Sequence, residues 1–220
     1  MLSIFASTRA DGSMKSLDSS YGSVLEARRR FLNEHDIQPE HTTLVHLTYE
    51  TESYNRYHSI KTAFKGHGII MPPALESDGV VVTETGHALF LPLADCIGAV
   101  IHDPTKNVLM ISHLGRHNLE QFGGTKSVEY LIQHHSVNPK DLTVWLSPAA
   151  GGEAYPLFAF DNRSLHDVAI EQLLAAGVLS ENITASPIDV TKDQDYYSHS
   201  QFLKGNRTDD GRFAIVAMMK

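Results

Sequence analysis

One cysteine and two histidines carry the clearest chemistry in this chain. Cys96 is the only cysteine among 220 residues. It lies in LPLADCIGAVIHDPTKNVLMISHLGRHN, residues 91–118. That stretch reads as two apolar strands joined by the turn Asp103-Pro104-Thr105-Lys106-Asn107, with His113 near the end of the second. An antiparallel hairpin brings such positions face to face. His46, in Leu44-Val45-His46-Leu47, sits in another β-rich segment. A thiolate and two imidazoles suit two chemistries. Three protein ligands with an open fourth position hold a catalytic zinc, whereas one Cys and one His form a nucleophile–base pair. There is no C-x-x-C and no H-E-x-x-H, so spacing alone does not choose between them. A lone cysteine in an apolar strand is most often inert filler, but Asp95 beside it is out of place in a purely buried strand. With imidazoles nearby, the Cys96 thiol is expected to titrate below the free-cysteine value of about 8.5.

The elements that must position these residues follow from periodicity. Strands are expected at 2–7, 42–49, 79–84, 87–93, 97–103, 107–114, 142–148 and 213–219, with short extended pieces at 183–184 and 188–191. Helices are expected at 23–33, 124–134 and 162–176, the last ending at Gly177. Residues 8–22 and 50–77 read as loops. The second is long for a compact domain, and such connections are often functional. Strands run together without steady β-α-β alternation, which favours an α+β class over a doubly wound sheet.

Composition sets the outer bounds. The net charge of −8 argues against nucleic acid and anionic membrane as partners, because both need clustered Lys and Arg. No apolar run approaches a membrane span and no secretory leader is evident. A single cysteine asks for no oxidising compartment. A cytoplasmic location is expected. Among other candidates, His134-His135 read as solvated. His58 and His67 belong to the long loop, and Gly123-Gly124 more often permits a turn than binds an anion.

A family resemblance enters through these same residues and covers nearly the whole chain. Ala94-Asp95-Cys96 is similar to an Ala-Asp-Cys signature, and His113 heads a block the family writes His-Ala-Gly-Trp-Arg-Gly. Leu44-Val45-His46 falls at a Gln-Val-His-Gly site, and Asp78-Gly79-Val80-Val81-Val82-Thr83 at an Asp-Gly-hydrophobic-hydrophobic-Thr strand. Ser7-Thr8-Arg9 to Gly12-Ser13, the helix Ala27 to Leu32, Ser147 to Tyr155, and Tyr196-Tyr197-Ser198 to Gly211-Arg212 match further segments. The chain thus resembles the laccase-domain family, the multicopper polyphenol oxidases also described as zinc-dependent purine nucleoside phosphorylases, which includes the peptidoglycan editing factors. The resemblance implies one α+β domain over 1–220, with mixed sheets packed together and helices outside.

It also implies that His46, Cys96 and His113 are metal ligands and catalytic residues, with zinc preferred and copper second. Adenosine or inosine would be cleaved with phosphate, adenosine deamination would be a further activity, and the chain would be a monomer or weak dimer. Arg116 and Arg9 are the substrate-binding candidates. Arg116 follows His113 by three residues where the family has four. It reaches the pocket if Gly115 turns the chain; otherwise Arg9, Lys61 or the Gly123-Gly124 amides hold the anion. The family Trp is missing, and Leu44 and Leu47 replace Gln and Gly, which marks a divergent member. Two rivals stand beside this reading. One is a metal-free Cys–His hydrolase or deamidase, and the other a catalytically weak editing or binding protein of the same fold.

Overall fold

The computed structural model describes residues 1–15, 21–49 and 51–220. In chain order the elements are β1 (Leu2–Ala6), α1 (Tyr21–Glu34), β2 (Thr42–Leu44), β3 (Tyr57–Ser59), β4 (Gly79–Val82), β5 (Ala88–Leu93), β6 (Ile97–Asp103), β7 (Val108–Leu114), α2 (Arg116–Glu120), α3 (Gly123–His135), β8 (Thr143–Leu146), α4 (Leu165–Ala175), β9 (Ile183–Ala185), α5 (His199–Leu203) and β10 (Phe213–Met219). Strands β1-β10-β5-β2 make one sheet and β3-β4-β7-β6-β8-β9 a second. Both are mixed. β2 runs parallel to β5, β3 to β4 and β8 to β9, while the other pairs are antiparallel.

Alternation along the strands explains the layering. In β10, Phe213, Ile215, Ala217 and Met219 join the large core shared with the six-stranded sheet, while Ala214, Val216 and Met218 join a second core under α1. In β5, Leu89, Leu91 and Leu93 face the first core, and Ala88 and Phe90 the second. Both strands are therefore covered on both faces, and their sequences are almost uninterruptedly apolar. Helices α3 and α4 bury Val128, Leu131, Val168, Ala169 and Leu173 in the larger core. Ser164 caps α4 by accepting the Asp167 amide at 3.1 Å. The result is the expected α+β arrangement of packed mixed sheets with helices outside. No helix among the described residues is long and apolar enough to cross a membrane.

The departures from expectation are local. The strand read at 42–49 ends at Leu44. Beyond it, Arg56 takes the Thr48 carbonyl at 3.1 Å and its hydroxyl at 2.8 Å, and the His46 carbonyl accepts the Ser77 amide at 2.9 Å, so 46–48 leave the sheet. The loop read at 50–77 contains β3, which pairs with β4. The segment 188–191 makes only a single bridge, Asp189 to Ala149. Two five-residue helices, α2 and α5, form where the sequence reading assigned no element. Of the loop read at 8–22, residues 16–20 lie outside the described residues, as does Glu50.

Candidate active site

The β6–β7 hairpin builds one wall. Asp103 closes it, its carboxylate accepting the Thr105 amide at 2.8 Å and the Lys106 amide at 3.0 Å. The register pairs Gly98 with His113 and Ile97 with Leu114. Cys96, one residue before β6, therefore lies opposite Gly115 and diagonal to His113 on the same face. Gly115 does not need its glycine for backbone freedom, since its φ is −94°. It needs it for space. A Cβ there would stand 2.8 Å from Cys96 Sγ and 3.0 Å from His113 Cε1. Both site atoms thus crowd a single point above Gly115.

Strand β7 ends at Leu114 and α2 begins at Arg116, so the chain turns where the shortened spacing requires it. The Arg116 backbone stands beside Cys96, where it favours the thiolate. Its guanidinium lies over the Tyr155 ring, 4.8 Å from the centroid, and its Nε is buried with no hydrogen-bond partner among the described residues. Asp95 adopts a left-handed backbone, φ 71°, and is buried. Its carbonyl accepts the Ala150 amide at 2.7 Å, and its carboxylate accepts Ser198 Oγ and the Ser200 amide, each at 2.6 Å. The odd polar residue beside Cys96 is thus a clamp joining β6, the 147–151 segment and α5. On the other side, the His113 amide donates to the Asp78 carbonyl at 2.8 Å, and Asp78 takes Arg56 through both carboxylate oxygens at 2.7 and 3.2 Å.

Two adjoining cavities of about 310 and 490 Å³ open at this wall. Lys15, Tyr49, Ala94, His113 and Arg212 line both and form the seam between them. His46 lines the smaller, largely aliphatic one. Cys96, Arg116, Tyr54, Tyr155 and His199 line the larger. Three cations, Lys15, Arg116 and Arg212, meet in the larger cavity of a chain whose net charge is −8. Burial, with Arg212 adding to it, lowers the Lys15 ammonium from its ordinary range.

Burial sets the titration of the other groups. It pushes the Cys96 thiol up to about 12, with the Asp95 charge adding to it, and the His113 imidazole down to about 4. It also lowers His46. The expectation of a depressed thiol is overturned. The apolar surroundings and the neighbouring carboxylate outweigh the arginines, and the imidazoles are held neutral.

Residues 8–163 match the family described as multi-copper polyphenol oxidoreductase laccase. The chain belongs to this family. Over 109 residues it is 27% identical to purine nucleoside phosphorylase YlmD of Bacillus subtilis (strain 168), a match spanning 50% of this chain and 37% of that protein. Its fold is shared with Bacillus licheniformis YfiH at TM-score 0.86 and 17% identity, over 100% of this chain and 93% of that one. It is also shared with YlmD from Geobacillus stearothermophilus at TM-score 0.80 and 18% identity, over 100% and 90%.

The family description implies a metal. One thiol and two imidazoles suit zinc in kind. In arrangement they fall short: among the described residues, no three His, Cys, Asp or Glu side chains are grouped so as to hold a metal ion. Loading one would need the three donors brought closer together than this structure holds them.

Arg9 does not line either cavity. Its guanidinium is engaged by Asp209 at 3.0 and 3.2 Å and lies over the Tyr197 ring. The Gly124 amide is not open to an anion either, since it donates to Gln172 Oε1 at 2.9 Å. Lys61 is exposed and lines neither cavity. Sequence reasoning missed Lys15, which sits in a loop with no motif. Arg212 and His199 lay within segments that carried the family resemblance, and that was the available signal. Gly211 before Arg212 is held to glycine by the Tyr197 ring, which a Cβ would meet at 2.1 Å.

Proposed function

We propose that this chain is a purine nucleoside phosphorylase acting at the seam between the two cavities. The observation that carries the reading is the meeting of Lys15, Arg116 and Arg212 beside the Cys96–His113 wall, in a cavity walled by Tyr54 and Tyr155. Cations on an acidic chain mark an anion subsite, and aromatic walls suit a flat base. The name of the B. subtilis relative supports the same reaction class. In this reading the three cations hold phosphate against the ribose carbon, the tyrosines hold the purine, and the buried wall excludes bulk water. Phosphorolysis then competes over hydrolysis because the anion is positioned and water is not. His46, Cys96 and His113 are the residues that would hold zinc, which when bound supplies a Lewis acid and a water ionised near neutral pH. Adenosine deamination is a secondary proposal on the same donors.

The metal-free Cys–His hydrolase is the weaker reading. Burial moves the thiol up and the imidazole down, so the thiolate–imidazolium pair is disfavoured on both sides.

The test is an inosine and adenosine screen with and without phosphate, coupled to zinc analysis of the parent and Cys96→Ser. Phosphate-dependent release of free base, with about one zinc per chain in the parent and less in Cys96→Ser, is expected. Base release indifferent to phosphate would overturn the phosphorylase, and equal zinc in the two proteins would remove Cys96 from the metal site. No turnover of either nucleoside at high protein concentration would leave the binding-protein reading.

A further inference from the structure

His199 begins α5 and lines the larger cavity together with Cys96, Arg116 and Tyr155. Its Nδ1 lies 2.7 Å from Asp210 Oδ1. The same carboxylate oxygen accepts Arg212 Nη1 at 2.6 Å. Among the described residues nothing hydrogen-bonds His199 Nε2. A carboxylate on Nδ1 fixes the tautomer and the ring plane and leaves Nε2 as the polar edge that a ligand meets. Against the opposing pull of partial burial, bonds from Arg212 and His199 hold the Asp210 carboxyl below its ordinary range, so it stays an anion beneath the ring.

The ring is also held from behind. The two residues flanking His199, Ser198 and Ser200, are both bound by Asp95, the neighbour of Cys96. One clamp therefore locates His199 relative to the Cys96 wall, and a second, Asp210, locates it relative to Arg212. An imidazole tethered this way in a cavity walled by tyrosines is more than a surface histidine. Its side chain keeps 42% of its exposure, so it can regain a proton from water between turnovers.

We infer that His199, oriented by Asp210, is the general acid that protonates the leaving purine. The inference rests on the phosphorylase reading. A phosphate oxygen forms a bond to the ribose C1′, the C1′–N9 bond breaks, and its electron pair passes into the purine. The proton on His199 Nε2 moves to purine N7, and the ring returns to its neutral form with Nδ1–H still on Asp210. In this displacement the entering phosphate and the departing base flank C1′ only a few ångströms apart. A single carboxylate that holds both the anion-facing Arg212 and the proton-carrying His199 supplies that spacing. Lys15 and Arg116, in the same cavity, stay with the phosphate.

The test compares inosine with 7-methylinosine, whose purine already carries the positive charge that protonation would create. His199→Gln is expected to lose about a hundredfold or more of kcat/KM on inosine, the usual scale of a general acid, and less than about threefold on 7-methylinosine. Retained turnover of the methylated substrate shows that the variant is folded and still binds phosphate and ribose. Asp210→Asn should show the same selectivity for the methylated substrate. Equal losses on the two nucleosides, or no loss on either, would overturn the assignment while leaving the phosphorylase reading intact. Failure of the parent protein to cleave either nucleoside with phosphate would overturn that reading and the general acid with it.

Discussion

Asp95 accepts the Ser198 hydroxyl at 2.6 Å across 103 residues of sequence. This bond ties the residue beside Cys96 to the helix that carries His199, in a region where both partners are buried. Hydrogen bonds to a buried charge contribute about 1.5–3 kcal/mol. Ser198→Ala is expected to lower unfolding stability by that amount. Asp95→Asn, which tolerates the left-handed backbone, should cost a similar amount. The double variant should cost less than the sum, because the pair acts together. Urea midpoints of the four proteins check this, and strict additivity would show that the two side chains do not depend on each other.

Gly115→Ala places a Cβ where Cys96 Sγ and His113 Cε1 converge, at 2.8 and 3.0 Å. The backbone there accepts alanine, so the fold should survive. Displacement of the two site atoms should cost about tenfold or more in kcat/KM. Full activity in Gly115→Ala would mean that the Cys96–His113 wall does not take part in the reaction.

Arg116→Ala removes one of the three cavity cations. A charge-assisted bond of about 1.5–3 kcal/mol corresponds to a tenfold or greater rise in the apparent KM for phosphate. Steady-state rates across a phosphate series measure it. An unchanged phosphate dependence would leave the anion to Lys15 and Arg212.

Acid sensitivity should come partly from His87, which lines neither cavity. The ring is fully buried, one nitrogen lies 2.8 Å from Thr43 Oγ1, and the other has no partner among the described residues. Burial lowers it to about 4, with Lys65 and His41 acting in the same direction and Glu84 opposing. The unfolded chain binds this proton below about 6.5, and the folded protein only near 4. Between those values the unfolded state holds more protons, so stability is full near pH 7 and falls as pH drops, by on the order of 3 kcal/mol at pH 4. His113, lowered to about 4 by burial, adds in the same sense. His87→Gln should show a shallower loss between pH 6.5 and 4.5 in urea titrations, and parallel curves for parent and variant would contradict this.

Much of the frame was legible in the sequence. The two-faced burial of β5 and β10 writes itself as apolar runs, and the 103–107 turn carries its own Asx and Asn signals. The diagonal between Cys96 and His113 followed from reading one hairpin. Less legible was anything set by contacts between distant segments. The break after Leu44 depends on Arg56 reaching Thr48, which no local propensity encodes. The raised Cys96 thiol depends on the burial that distant segments impose and on the Asp95 charge, whereas the reading counted only nearby imidazoles. Arg9 stood in a matching motif, yet Asp209 engages it from the far end of the chain. Lys15 reaches the cavity from a loop with no motif, and His199 from the first turn of α5, where the matching segment marked the region but not the residue.

The most direct test of phosphorolysis at the Lys15–Arg116–Arg212 seam is the identity of the sugar product. Phosphorus NMR of a reaction with inosine and inorganic phosphate should show ribose 1-phosphate appearing mole for mole with free hypoxanthine. Free ribose with the phosphate signal unchanged would contradict the account, because the cavity would then be activating water in place of the anion its cations are arranged to hold.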